Sequence, residues 1–138
     1  MRAGRDLTLV TLSQMVHKAQ IDAFPASLGT LPLLLPTTHA AMRGRIDRWF
    51  ESQDIRPRIV GEFEDSALLS LFAAQGLGVF PVTALGATDL AAMRGLRLLG
   101  RSDGLIEEIH AIRSRRGLHH PLVLRILAAA RDLAPAPD

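Results

Sequence analysis

The chain of 138 residues contains no cysteine, no tyrosine and a single lysine, Lys18, among its sixteen basic residues. Without cysteine there can be neither disulfides nor thiolate metal sites, so a reducing compartment is allowed. Aromatic residues make up only 4% of the chain, which leaves a core to be built from Leu, Ala, Ile and Val. Charge of one sign is also scarce. The formal net charge is +2, too small to draw the chain strongly to nucleic acid or to anionic lipid. No apolar run approaches the roughly eighteen residues of a membrane span. The opening residues carry Arg2, Arg5 and Asp6, and LTLVTL is too short for a secretory leader, so a soluble cytoplasmic protein is expected. Catalytic signatures are missing as well. There is no GxSxG, P-loop, GxGxxG or HExxH, and Gly76-Leu77-Gly78 reads as a helix stop before a strand. Catalysis has no support in the sequence, and neither a cofactor nor a metal is expected.

What is present is one domain's length with 48% hydrophobic residues, enough for a single core. From Leu31 to Val82, strand-sized apolar runs alternate with amphipathic runs, which predicts βαβαβ and a parallel sheet. Strands are expected at Leu7–Leu12, Leu31–Leu35, Arg58–Phe63, Leu77–Phe80, Leu96–Leu99 and Ile106–Arg113, with a turn at Arg101–Gly104. Ser13 is expected to cap a short helix running to about Gln20. The next helix, Thr38 to Gln53, would bury Met42, Ile46, Trp49 and Phe50, with Gly44 set in its middle by a close neighbouring backbone. Asp65 or Ser66 would cap a third helix that buries Leu68, Leu69, Phe72 and Ala73 and stops at Gly76. A weakly helical Ala-rich run, Thr83 to Met93, ends at Gly95. Pro121 suits the first turn of a final helix whose apolar stripe is Leu122, Val123, Ile126, Leu127 and Ala130.

In an open parallel sheet, ligands bind beyond the carboxyl ends of the strands. The loops placed there are Pro36-Thr37-Thr38-His39, Glu62-Phe63-Glu64-Asp65 and Phe80-Pro81-Val82, and they nominate Thr37, Thr38, His39, Glu62, Glu64, Asp65, Phe80 and Pro81 for effector binding. Each has an ordinary structural alternative. Thr37 or Thr38 can simply cap the following helix. The three carboxylates can hold a hard cation through clustered oxygens, or else Asp65 caps a helix while the glutamates are solvated or paired with arginine. Arg113, Arg115 and Arg116 lack interleaved aromatics and read as a solvated loop, and His119 and His120 have no metal-ligand partners nearby.

The segments LPLLLPTTHAAMRGRIDRWFE, RPRIVGEFEDSALLSLFAAQGLGVFPV and EIHAIRSRRGLHHPLVLRIL resemble, in order and spacing, the effector-binding domain of LysR-type transcriptional regulators. AAQGLGVFPV is similar to that family's recurring Gly-x-Gly-hydrophobic-hydrophobic-Pro turn. Within the family, LLLPTT with WFESQDIRPRIVGEFEDSAL most resembles the NhaR branch, activators of sodium/proton antiporter genes. The resemblance implies an α/β fold, half of a type II periplasmic-binding-protein-like domain, with a mainly parallel sheet and helices on both faces. It implies a crossover strand and connector over 1–30, a second subdomain over 31–100, a return crossover strand and closing helix over 101–133, and a frayed tail over 134–138. It also implies a small effector, or sodium or lithium, as ligand, a homo-oligomeric assembly, and contact with DNA only through a winged helix-turn-helix N-terminal to Met1. On this expectation the chain is a fragment of a longer regulator. The alternatives are a free-standing small-molecule or ion-binding protein and an α/β enzyme with unrecognised catalytic residues.

Overall fold

The structure is a computed structural model and describes residues 3–14, 16–111, 114–115 and 120–132. It opens on a long strand, β1 (Ala3–Ser13), that runs through the alternating LTLVTL segment and one residue beyond it. Ser13 is the buried end of this strand and caps no helix. The first helix, α1 (Lys18–Asp22), starts later, and the His17 N–H donates to Gln20 Oε1 at 2.8 Å. After a 3-10 turn at Ala26–Gly29 come β2 (Pro32–Pro36), α2 (Ala41–Ser52), β3 (Arg58–Phe63), α3 (Ser66–Ala74), β4 (Phe80–Thr83), α4 (Ala84–Arg94), β5 (Arg97–Ala111) and α5 (Pro121–Asp132).

Contacts divide the chain into two units, Thr8–Ile106 and Met1–Leu7 with Glu107–Asp138. In the larger unit the parallel pairing expected of the alternating segment is present. β2 and β3 run parallel, with Pro32 opposite Arg58 and Pro36 opposite Phe63. A parallel bridge joins Leu33 to Val79, closed by the Leu34 N–H to the Val79 carbonyl and the Val79 N–H to the Pro32 carbonyl, both 2.9 Å. β4 then pairs antiparallel with β1, Leu12 facing Phe80, in a sheet ordered β4-β1-β5.

β2 shows how sequence becomes core. Its side chains alternate between faces, and both faces are covered. Leu33 and Leu35 enter one cluster with Ile46, Trp49 and Phe50 of α2, while Leu34 enters another with Leu69 and Ala73 of α3 and Phe80. Burying one such leucine side chain stabilises by about 1.5–3 kcal/mol. Trp49 stands edge-on to Phe50 at 5.3 Å between centroids, and its Nε1–H donates to the Asp103 carbonyl at 3.0 Å. β3, by contrast, alternates exposed and half-buried residues, as an edge strand does.

Several expectations are corrected here. α2 begins at Ala41 behind a Thr37–Ala40 turn, closed by the Ala40 N–H to the Thr37 carbonyl, so neither threonine caps it; the cap residue is Ala40, without a side-chain bond. Gly44 is exposed, and a Cβ there would meet nothing nearer than Arg48 Nη1 at 3.7 Å, so no close backbone explains it. In α3 the buried residues are Leu69, Ser70 and Ala73; Leu68 and Phe72 are exposed, Phe72 resting on Phe63 at 5.1 Å. The stop at Gly76 (φ 78°) uses two bonds, Gly76 N–H to the Ala73 carbonyl and Leu77 N–H to the Phe72 carbonyl. That commits Leu77 to the helix end, so the third strand starts at Phe80. The turn predicted at Arg101–Gly104 is absent, and β5 runs straight through it. Gly104 accommodates φ 79° within the strand, Ser102 and Leu105 are buried, and α2 supplies donors to the carbonyls of Asp103 and Ile106.

In the smaller unit α5 begins at Pro121 as expected. Its stripe is only half covered. Leu122 and Ile126 are 59% and 68% exposed, whereas Val123 and Leu127 are partly buried. Arg113, Arg116, His119 and the tail at 134–138 lie outside the described residues.

Candidate functional site

β2 and β3 end level with one another, and the Thr37 N–H donates to the Phe63 carbonyl at 3.1 Å. Beyond this edge lies a cavity of about 420 Å³ in the larger unit. Its walls come from Pro36, from Phe63 and Glu64, from the first turns of α3, from Phe80, Pro81 and Val82, and from Leu90 and Arg94 of α4. A cavity of this size at the carboxyl end of parallel strands suits a small ligand.

Of the eight nominated residues, Glu64, Phe80 and Pro81 line this cavity. The others have different employment. Glu62 accepts a hydrogen bond from Arg43 Nη1 at 2.8 Å. The same guanidinium donates from Nη1 to the Pro36 carbonyl at 2.8 Å and from Nε to Asp47 Oδ1 at 2.9 Å. Arg43 is only 6% exposed and ties α2 to the ends of β2 and β3. Burial opposes its charge, but the hydrogen bonds and negative charges of Glu62 and Asp47 outweigh that, and its pKa is raised. Asp65 is the N-cap of α3, accepting from the Ala67 and Leu68 N–H groups at 2.7 and 3.2 Å. Thr38 and His39 sit exposed on the turn before α2. The three carboxylates therefore do not gather, and among the described residues no group of three or more His, Cys, Asp or Glu is placed to hold a metal ion.

Two residues escape a reading by polarity alone. Arg43 falls with Ile46 and Phe50 at i, i+3 and i+7, the spacing of a buried stripe, and that was the available signal. Arg94 continues the α4 line Ala87–Leu90–Arg94 in the same spacing. It is one of the cavity's lining residues, while its Nε is shut from solvent and has no hydrogen-bond partner.

A family model for the LysR substrate binding domain matches residues 7–135. The transcriptional activator protein NhaR of Escherichia coli (strain K12) is 37% identical over 103 residues, covering 75% of this chain and 34% of NhaR. The protein of that name from Shigella flexneri gives the same figures. The chain thus spans about a third of the length of the curated relatives it matches. Among solved structures, the regulatory domain of MexT, a transcriptional activator in Pseudomonas aeruginosa, is similar with a TM-score of 0.70 at 15% identity, over 97% of this chain and 67% of that one. The regulatory domain of CcmR from Synechocystis PCC6803, in complex with 2-PG, has a TM-score of 0.68 at 14% identity, over 98% and 69%. At such identities the likeness is one of fold, and the fold is α/β.

Proposed function

The chain belongs to the LysR substrate-binding domain family, and from that premise we propose that its effector sits in the cavity between α3, α4 and the carboxyl ends of β2, β3 and β4. The observation that carries this reading is the cavity itself, which lies where an open sheet presents its loops and which is lined by Glu64, Phe80 and Pro81. The chain would be the sensing part of a longer cytoplasmic regulator, whose DNA contact lies in sequence outside these 138 residues. Copies would associate, and the exposed Leu122, Leu124 and Ile126 of α5 are apolar surface that association would cover. Among the described residues no helix is long and apolar enough to cross a membrane.

A monovalent cation is the second reading for the ligand. What favours it is Glu64, which lines the cavity and which, among the described residues, no hydrogen bond or ion pair engages. Both readings meet one experiment. The chain is melted with a panel of small organic molecules, and separately with sodium, lithium or a bulky organic cation at constant ionic strength. A ligand present at about a hundred times its dissociation constant adds about 2.7 kcal/mol of stability. Leu90→Trp, which fills the cavity, should remove any such shift; a shift that survives it places the ligand elsewhere. Equal melting in all three salts, with Glu64→Gln indistinguishable from the parent, ends the cation reading.

A further inference from the structure

α2 is bonded through its side chains to two places in the larger unit. Near its start, Arg43 donates to the Pro36 carbonyl and to Glu62 Oε1, each at 2.8 Å. Pro36 lines the cavity, and Glu62 directly precedes Phe63 and Glu64, which line it too. Further along the helix, Arg45 Nη1 donates to the Ile106 carbonyl at 2.8 Å and Trp49 Nε1 to the Asp103 carbonyl at 3.0 Å. From Arg43 to Trp49 the helix rises about 9 Å. Ile106 is the last residue of the larger unit, so β5 is the strand by which the chain leaves it.

In an unbroken strand, carbonyls two residues apart point to the same side. Asp103 and Ile106 are three apart, yet both accept from α2, because Gly104 stands between them at φ 79°. A Cβ at Gly104 would meet nothing within 4 Å. The glycine therefore serves the left-handed backbone and not a close approach. The bend borders an open groove of about 410 Å³ between Arg45, Arg48 and Trp49 of α2 and Asp103–Ile106 of β5. The backbone has room there to change its bend, and the two donors from α2 fix the bend it holds.

We propose that α2 is the coupling element of this domain: a displacement of the cavity wall at Pro36 and Glu62 passes through Arg43 into the helix, and Trp49 and Arg45 deliver it to β5 as a change of the bend at Gly104. The signalling role rests on the reading that the effector occupies the cavity. A ligand seated against Pro36 and Phe63 acts on α2 without touching it, as a helix shift does between packed elements. Coupling is reciprocal, so loosening the β5 end must also loosen the strand ends.

Trp49 is the only tryptophan in the chain, so one indole N–H reports the β5 end. The Thr37 N–H, bonded to the Phe63 carbonyl at 3.1 Å, reports the strand ends. Hydrogen exchange of both is followed by NMR in the 138-residue chain, as a ratio to the slowest amides, which report global opening. Arg43→Ala breaks three bonds at the strand ends. Glu62→Ala breaks one with little loss of stability, because that side chain is 43% exposed. Arg43→Ala should speed indole exchange by about twofold to thirtyfold, the range over which substitutions along a connected network modulate coupling. Glu62→Ala should speed it by less, and it decides alone if Arg43→Ala does not fold. Arg45→Gln should in turn speed exchange of the Thr37 N–H. Leu96→Ala is the control, since Leu96 packs with Leu34, Leu69 and Phe80 and not in the cluster of Trp49; it should leave both ratios unchanged. The proposal is overturned if neither Glu62→Ala nor Arg43→Ala moves the indole ratio, if Leu96→Ala moves it as far, or if Arg45→Gln leaves Thr37 at the parent value. These measurements need no ligand, whereas Leu90→Trp in the melting experiment tests the cavity, so a failed coupling and a misplaced effector are told apart.

Discussion

Arg43→Ala removes three hydrogen bonds at once, to Glu62, Asp47 and the Pro36 carbonyl. The two carboxylates are nearly half exposed, at 43% and 46% of their side chains. Water re-solvates them when the arginine is gone, so each pair contributes only about 0.5 kcal/mol. The Pro36 carbonyl loses a charge-assisted partner at the end of a central strand, which costs about 1 kcal/mol. The expected destabilisation is about 2 kcal/mol, well below the 3–5 kcal/mol for a fully buried pair. For a chain of this length that is a melting temperature lower by roughly 6–10 °C. Glu62→Gln keeps an acceptor for Nη1 and should cost about 0.5 kcal/mol or less. Because the pKa of Arg43 is raised, its contribution is fully present below the unfolded-state value and is lost only as pH climbs beyond the ordinary arginine range. The gap between parent and Arg43→Ala should therefore stay constant from neutral to moderately alkaline pH. Thermal and urea melts at several pH values measure all of this. A variant melting within about 1–2 °C of the parent would show that α2 is not tied to the strand ends through this group.

Asp65→Ala should destabilise by about 1 kcal/mol, since the α3 N–H groups of Ala67 and Leu68 lose their acceptor; urea melts check it, and a cost near zero would mean water caps the helix as well. Gly78→Ala should be more damaging, by about 1–3 kcal/mol or more, because a Cβ there would stand 2.9 Å from both Leu34 Cγ and the Pro32 carbonyl. An unchanged urea midpoint for Gly78→Ala would contradict the close approach that lets Val79 bridge β2.

The elements whose ends are marked by backbone chemistry were legible. β3 begins just after Pro57 and occupies the expected Arg58–Phe63; α3 stops where Gly76 turns left-handed, and α5 starts on Pro121. Errors arose where a local signal met a tertiary partner. Arg101-Ser102-Asp103-Gly104 has turn composition, but Trp49 and Arg45 donate to carbonyls on β5, and the buried Ser102 and Leu105 hold the segment extended. A turn would have left those donors and that core surface without partners. Thr37-Thr38 has capping composition, yet the Thr37 N–H is drawn to Phe63 across the strand pair, which puts the helix start three residues later.

The same division explains why the site was only partly legible. A carboxylate at a strand end can serve the fold or a ligand, and nothing in its residue type says which. Glu62 and Asp65 serve the fold, one through Arg43 and the other at the start of α3, and only the positions of those partners reveal it. Their engagement is what gives meaning to the two groups left over. Among the described residues no hydrogen bond or ion pair engages Glu64, and the Arg94 Nε has no hydrogen-bond partner, while both residues line the cavity at the carboxyl ends of the strands. Replacing Glu64 should hardly change stability, whereas an arginine Nε buried without an acceptor carries a desolvation cost within the fold.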